Sequence, residues 1–505
     1  MAANTANTKR RVVPRWRTFR EALANNELSS SSSTKAPAID GAPFLELKEK
    51  AWLKTHDLPH AIDLVGAATV LGESSLARTA AEFILESEKV VVRSAVALAN
   101  SLLGIQSTTD THAEMKPTSR AAIMSAARVL KERRRREPLN AFVWVDLALL
   151  YVLLGQPEPA AQALRVARGL APNERFVLRS TTRFLLHSKR HEEALQLLRD
   201  NPRTSSDPWL IAAEVAVSSV LERSPRFAKI GGQLLHANQW SPFDTSELAS
   251  ALGSLELFSG NARSARKFFR ESLRDPTDNA LAQGVWAAKE ANMLVPLDSL
   301  SNSPRTSEAR TLYALNAGKW TDVVDHAKTW AMDEAFSARP RLVSSGVSAS
   351  LLGDQVLAEQ IAKDGLAVSP NHAGLINNLA FALTLQGRPL EAIETLCGAN
   401  LAGATVIEII CLAATSGLAH FRIGELAVAR SHYKRSMELA TKHRQHVLRA
   451  LAALYLAYEE RVHGTNVREL SFEKAVDDAL KQDDPHVKAV AHRLAGQIHT
   501  QKSKR

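Results

Sequence analysis

An all-α array of helix-turn-helix repeats is the fold class this sequence predicts, on three observations. From Phe44 onward apolar residues recur at helical spacing in blocks of about 12 to 16 residues, broken by Gly, Pro, Asn or Ser, without sustained period-two alternation. A framework of small and bulky residues returns after 34 positions, from Ala141 to Arg175 and again from Arg339 to Ala373. A composition of 45% hydrophobic and 23% charged residues is that of a chain that buries a core, which excludes a disordered protein.

Taken in order, residues 1–42 pair the basic stretch "KRRVVPRWRTFR" with "LSSSSSTKAPAIDGAP", and this composition predicts a disordered basic tail. Residues 43–140 read as an N-terminal helical region ending in a degenerate repeat. The first full repeat is "NAFVWVDLALLYVLLGQPEPAAQALRVARGLAP". Counting Ala141 as position 1, its framework is Trp144, Leu147, Ala148, Tyr151, Ala160, Leu164, Ala167 and Pro172. Small residues at positions 8 and 20 let two helices approach, and bulky ones at 4, 7, 11 and 24 fill the gap. Glycine near 15 turns the chain, and proline near 32 ends the second helix.

The register returns from Arg175, from Ser246, from Arg339, from Ala373 and, more loosely, from Ile410. Between these copies, residues 206–245 predict a degenerate helix pair and residues 278–303 one helix and a loop. "NAGKWTDVVDHAKTW" keeps only the turn glycine and the second helix. The expected organisation is repeats over 141–293, a linker or break over 294–304 at "LVPLDSLSNSP", repeats over 305–443, and capping helices over 444–505.

The eight framework positions resemble the tetratricopeptide repeat, in an irregular array of bacterial type. That resemblance implies a right-handed superhelical solenoid with helical ends outside the repeat pattern. It also implies a non-enzymatic function: a scaffold, adaptor or regulatory subunit that binds a peptide or partner protein in a groove lined by the first helix of each pair. Groove positions 2, 5, 9 and 12 then fall on Phe142, Val145, Leu149 and Val152, and on Phe176, Arg179, Arg183 and Leu186. Farther along they fall on Val343 and Val347, and on Asn377, Phe381 and Thr384. The N-terminal set is apolar with two arginines, and so matches an apolar or acidic ligand segment. The alternative is that residues 44–135 fold back over Val145, Leu149 and Val152.

The carboxylate clamp of one tetratricopeptide subclass is absent, because Val145 and Leu149 stand where it needs Lys and Asn, and Ser180 where it needs a second Asn. Asn378 matches that position in a later repeat, but Val343 and Val347 precede it. Base-by-base RNA readout is equally unsupported, since positions 2 and 5 hold no constant polar pair.

Enzyme signatures are missing: no phosphate-cradling loop with Lys, no paired-cysteine metal spacing and no nucleophile elbow. His443 and His446 lack a third ligand, the spacing in "RLAGQIH" is too common to carry chemistry, and no cofactor or metal is expected. Cys397 and Cys411 read as small hydrophobes in a reducing compartment, and with no apolar run of membrane length the expected location is cytoplasmic. Arginine outnumbers lysine about two to one and alanine is abundant, which points to a GC-rich bacterial source. Oligomeric state leaves no trace.

The net charge of +10 is local: residues 1–20 carry +6 and residues 128–137 carry +4, so the remainder is neutral. The secondary expectation is therefore a nucleic-acid or acidic contact by Arg10, Arg11, Arg15, Trp16 and Arg17 together with Arg133, Arg134, Arg135 and Arg136. A further alternative is a sensor or regulatory partner of a separate effector in a bacterial immunity or secretion system. Against a single ligand site at the four consecutive arginines, four residues sweep roughly 300° around a helix. Pro138 ends that helix just beyond them, at an end where cations suit the dipole.

Overall fold

The computed structural model describes residues 10–25, 27–28, 42–71, 75–87, 93–103, 120–237, 239–293, 306–463 and 471–502. Among these residues there are helices and no strands. The chain divides into two compact units, residues 11–303 and residues 304–505 with 1–10. The division falls between Ser303 and Pro304, inside the segment expected as a linker, which itself lies outside the described residues.

In the first unit a short helix, α1 (Phe19–Ala24), precedes α2 (Ala42–Thr55), α3 (Leu58–Leu71), α4 (Ser75–Glu86), α5 (Arg93–Leu103) and α6 (Arg120–Arg136). Helix pairs follow: α7 (Ala141–Leu153) with α8 (Pro157–Leu170), α9 (Arg175–His187) with α10 (His191–Asp200), α11 (Pro208–Val220) with α12 (Ala228–His236), and α13 (Pro242–Phe258) with α14 (Ala262–Ser272), closed by α15 (Asp278–Ala291). The repeat register fixes the starts of α7 and α9 to the residue. Helix α13 begins four residues before the expected Ser246, because Ser241 caps it from outside and Pro242 takes the first helical position, where its missing N–H costs nothing.

The second unit holds α16 (Ser307–Asn316) with α17 (Trp320–Asp333), then α18 (Arg339–Val347) continued by a π-helical turn over Ser348–Leu352 and followed by α19 (Gln355–Val368). After these come α20 (Ala373–Leu385) with α21 (Pro389–Cys397), α22 (Val406–Arg422) with α23 (Leu426–Lys442), and three closing helices, α24 (His446–Val462), α25 (Phe472–Leu480) and α26 (Pro485–Lys502). Again α18 and α20 begin where the register puts them. Helix α22 starts at Val406, not Ile410, because a Thr405–Glu408 capping box adds a turn. The segment before "NAGKW" does form a first helix, α16, although its sequence lacks the framework.

The turns show what the pattern demands. Position 15 is left-handed in every copy: Gly155, Gly260, Gly353, Gly387 and Gly424 all have φ between 72° and 90°. Arg175's copy puts Lys189 there at φ 59°, and the degenerate pair α11–α12, counted from Pro208, puts Glu222 there at φ 53°. A side chain in this region pays a steric cost that glycine avoids. Lys189→Gly is accordingly expected to raise stability by roughly 0.5–1 kcal/mol, read as a higher denaturant midpoint at constant slope; a lower midpoint would show that the turn carries no strain.

Inter-helix closeness is set by the small residues. At position 8 of its copy, a Cβ on Gly417 would lie 2.7 Å from the Tyr433 ring, which is fully buried against it. The architecture is thus a stack of tetratricopeptide-like helix pairs in each unit.

Candidate functional site: the first-helix face of residues 141–291

Residues 10–25 and 27–28 are packed into the protein instead of forming the mobile tail that their composition predicts. Trp16 and Phe19 are 1% and 4% exposed, and Arg15 and Arg17 are buried with them. In the first unit, residues 11–18 run without helix across the first helices of the pairs, in the order opposite to the repeats. The Arg11 guanidinium lies 3.9 Å from the centre of the Phe258 ring on α13. Asn279 on α15 donates its Nδ2 to the Val13 carbonyl at 2.9 Å. Trp16 meets Phe184 of α9 edge-on at 6.0 Å. Phe19 stacks on Phe142 of α7 at 4.2 Å and meets Phe176 of α9 edge-on at 5.8 Å. Burying two such aromatic side chains contributes about 1.5–3 kcal/mol each, with aromatic pairing adding about 0.5–1.5 kcal/mol.

The polar contacts are charge-matched. Arg17 ion-pairs with both Glu27 and Asp278, and the Arg15 Nε lies 3.4 Å from Asp278 Oδ2. Burial works against the Arg17 charge, but Asp278 and Glu27 outweigh it and its pKa rises. Glu27 is pushed up by burial despite Arg17 and Arg179. At the other end Thr18 caps α1 in a capping box with Glu21, and the Phe19 N–H donates to Asp146 Oδ1 at 2.7 Å.

Burial pushes the Asp146 carboxyl up to about 7, with the Phe19 N–H and the charge of Arg133 pulling the other way. A carboxyl raised in the folded state contributes stability that is complete below its ordinary pKa near 4 and is lost as pH rises through about 7. Asp146→Asn keeps an acceptor for the Phe19 N–H and cannot ionise. From pH 5 to pH 8 the wild type is expected to lose about 2 kcal/mol more than this variant in urea unfolding. Parallel pH profiles would show that Asp146 does not titrate there.

Every groove residue expected from the sequence has a definite place. Phe142, Val145, Leu149 and Phe176 are buried. Arg179 makes two hydrogen bonds to Glu247 on α13, at 2.9 and 3.2 Å, and lies over Trp209. Arg183 is partly buried beside His187, whose pKa falls to about 4 through burial and then through the charge of Arg183. Arg179 is already engaged by Glu247, and the carboxyl groups that receive residues 11–19 are those of Asp146 and Asp278. Sequence reasoning missed both because position 6 of a first helix, where Asp146 sits, and the first residue of α15 carry no expectation in the register.

In the second unit the expected groove positions are closed by core packing. Val343 and Val347 pack with Ala314, Val323, Val324 and Trp330. Asn377 accepts from the Thr415 hydroxyl at 2.8 Å, Thr384 bonds its own helix, and Phe381 meets Tyr455 of α24 edge-on at 5.6 Å. Helix α26 seals the π-helical turn: Arg493 donates its Nε to the Ser350 carbonyl at 3.0 Å and His486 lies 3.3 Å from the Ser350 hydroxyl. Asn377, Phe381 and Thr384 are therefore core residues, not open contacts. Arg10, also in this unit, makes two hydrogen bonds to Glu308, which Arg339 contacts too.

The four arginines end α6, as expected. Arg133 pairs with Glu137, Arg134 lies over Trp144 at 5.0 Å, and the exposed Arg135 and Arg136 both reach Glu132. Among the described residues no group of three or more His, Cys, Asp or Glu is placed to hold a metal, and no helix is long and apolar enough to cross a membrane.

No protein-family description matches the chain, and no curated protein sequence matches it. Among solved structures it is similar to the crystal structure of the APC/C hetero-tetramer Cut9-Hcn1, with 14% identity over 90% of this chain and 86% of that one and a TM-score of 0.43.

Proposed function

We propose that this protein is a non-enzymatic interaction scaffold, an adaptor or regulatory subunit, whose first-helix face over residues 141–291 receives a segment of a partner protein within a larger complex. The observation that supports it is that this face already holds a peptide segment, residues 11–19, through side-chain sockets and paired charges. Phe142, Phe176, Phe184, Asp146, Glu247 and Asp278 are the contact residues of this reading.

Nucleic-acid binding by the same stretch and by Arg133–Arg136 is the weaker reading. Arg10, Arg15, Arg17 and Arg133 are engaged by carboxylates, and a phosphate would have to compete with each of them. A cytoplasmic location belongs to the proposal, in keeping with two free cysteines, Cys397 and Cys411. The test is crosslinking mass spectrometry on the full chain with proteins retained from native extract. Partner crosslinks should fall on α7, α9, α13 and α15; crosslinks confined to the second helices of the pairs would sink the reading.

A further inference from the structure

We infer that residues 11–28 are a resident pseudo-ligand, and that the partner segment which replaces them carries the same chemistry: guanidinium groups alternating with two aromatic side chains about three residues apart. The inference rests on the proposed role of this face and adds the identity of what it selects.

Three features carry it. The sockets are specific in kind and spacing: the Trp16 side chain goes to Phe184, and the Phe19 ring goes between Phe142 and Phe176. Beside them Asp278, the first residue of α15, receives both Arg15 and Arg17. An acidic peptide would bring further negative charge to Asp278, and an apolar one would take away the two arginines it receives from the segment, each at a cost of several kcal/mol. Only a basic, aromatic segment answers both features.

The third feature is that the two kinds of contact are combined: Val12, Trp16, Phe19 and Leu28 are buried anchors, while Arg15 and Arg17 are held by Asp278, so a replacement must supply both apolar anchors and cations. The segment is covalently part of the chain that carries the face it lies on. A tethered occupant acts at an effective concentration in the millimolar range, so it sets a threshold that an incoming partner must exceed.

The probe is a fluorescent synthetic peptide of residues 10–28, titrated by anisotropy against the full-length chain. Wild type should bind it at least about tenfold more weakly than full-length Trp16→Ala/Phe19→Ala, in which the resident segment is loosened but the sockets are intact. A peptide in which both Arg15 and Arg17 are glutamate should bind neither. Equal affinity of wild type and variant for the peptide, or tight binding of the glutamate peptide, would overturn the inference.

Should the double variant not fold, a protease site placed within Ser29–Ser33 of the otherwise native chain provides the second arm. After cleavage the labelled peptide should replace the nicked segment; a nicked segment that never exchanges assigns residues 11–28 to the permanent core. Concentration-dependent doubling of mass with exchange of the segment between copies would also overturn the inference, in favour of a second copy as the occupant. Loss of peptide binding with retained crosslinks on α7 and α9 would remove this inference and leave the interaction role standing.

Discussion

Arg17→Glu should release residues 11–28 from the first unit and make them more than 100-fold more susceptible to trypsin at Arg11, Arg15 and Arg20. In the wild type the Arg17 guanidinium lies between Glu27 and Asp278, and all three groups are largely shielded from water. The glutamate would bring a third carboxylate to that place and leave Arg15 as the remaining cation on Asp278. Stripping a buried charge of its partner costs about 3–5 kcal/mol, and at about 1.4 kcal/mol per decade this shifts the docked-to-released equilibrium by more than two orders of magnitude. Arg135→Glu is the control: its side chain is exposed and pairs with Glu132 on its own helix, so proteolysis of the segment should not change. Equal cleavage rates for wild type and Arg17→Glu would show that the aromatic sockets alone hold the segment.

Asp207→Ala should lower the stability of the first unit by about 3–5 kcal/mol, enough to abolish its cooperative unfolding transition in a marginal domain. One carboxylate does two jobs here. Asp207 Oδ1 accepts the Trp209 and Leu210 N–H groups and so caps α11, while Oδ2 accepts Arg175 at 2.8 Å and Arg203 at 3.2 Å. Arg175 is 0% exposed, and its charge lies against the rings of Trp209 and Trp240. Burial would raise the Asp207 pKa, but Arg175 and Arg203 outweigh it and the pKa is lowered. Its stabilisation is therefore present above the ordinary carboxylate pKa and is lost as pH falls through the lowered one. Asp207→Asn should retain the cap, worth about 1 kcal/mol, and lose the ion pairs, so its stability should fall between wild type and alanine. A loss below 1 kcal/mol on alanine substitution would show that Arg175 finds another partner.

Helices and turns were legible because their determinants are local. Ala141, Arg175, Arg339 and Ala373 start helices as the 34-residue spacing predicts, and a glycine at position 15 marks the turn in three of these four copies, with Lys189 in the fourth. The degenerate pair α11–α12 kept the backbone and lost the signature: Glu222 adopts the left-handed turn that glycine usually marks, so residue type no longer reported the conformation. The shifts of α13 and α22 came from caps at Ser241 and Thr405, which lengthen a helix without disturbing its framework.

The site was half legible. Phe142 and Phe176 were reached from register alone, and both do line the face that holds the segment. The arginines of the segment read as a basic tail available for an acidic contact, because the carboxylate that receives two of them is distant in sequence. Asp278, which pairs with Arg17, lies 261 residues away. Similarly Asn377, Phe381 and Thr384 occupy positions that face a groove in a regular array, but α24 and α26 close over the second unit, and no local pattern announces where a terminal helix will dock.

By itself, then, the sequence determined the helical period, the repeat spacing and the turn geometry, because each is enforced within a few residues by sterics, capping and apolar periodicity. Only the tertiary structure decided what covers the first-helix faces. Burial of an arginine depends on a carboxylate supplied from elsewhere in the chain, and that pairing exists only once the repeats have stacked.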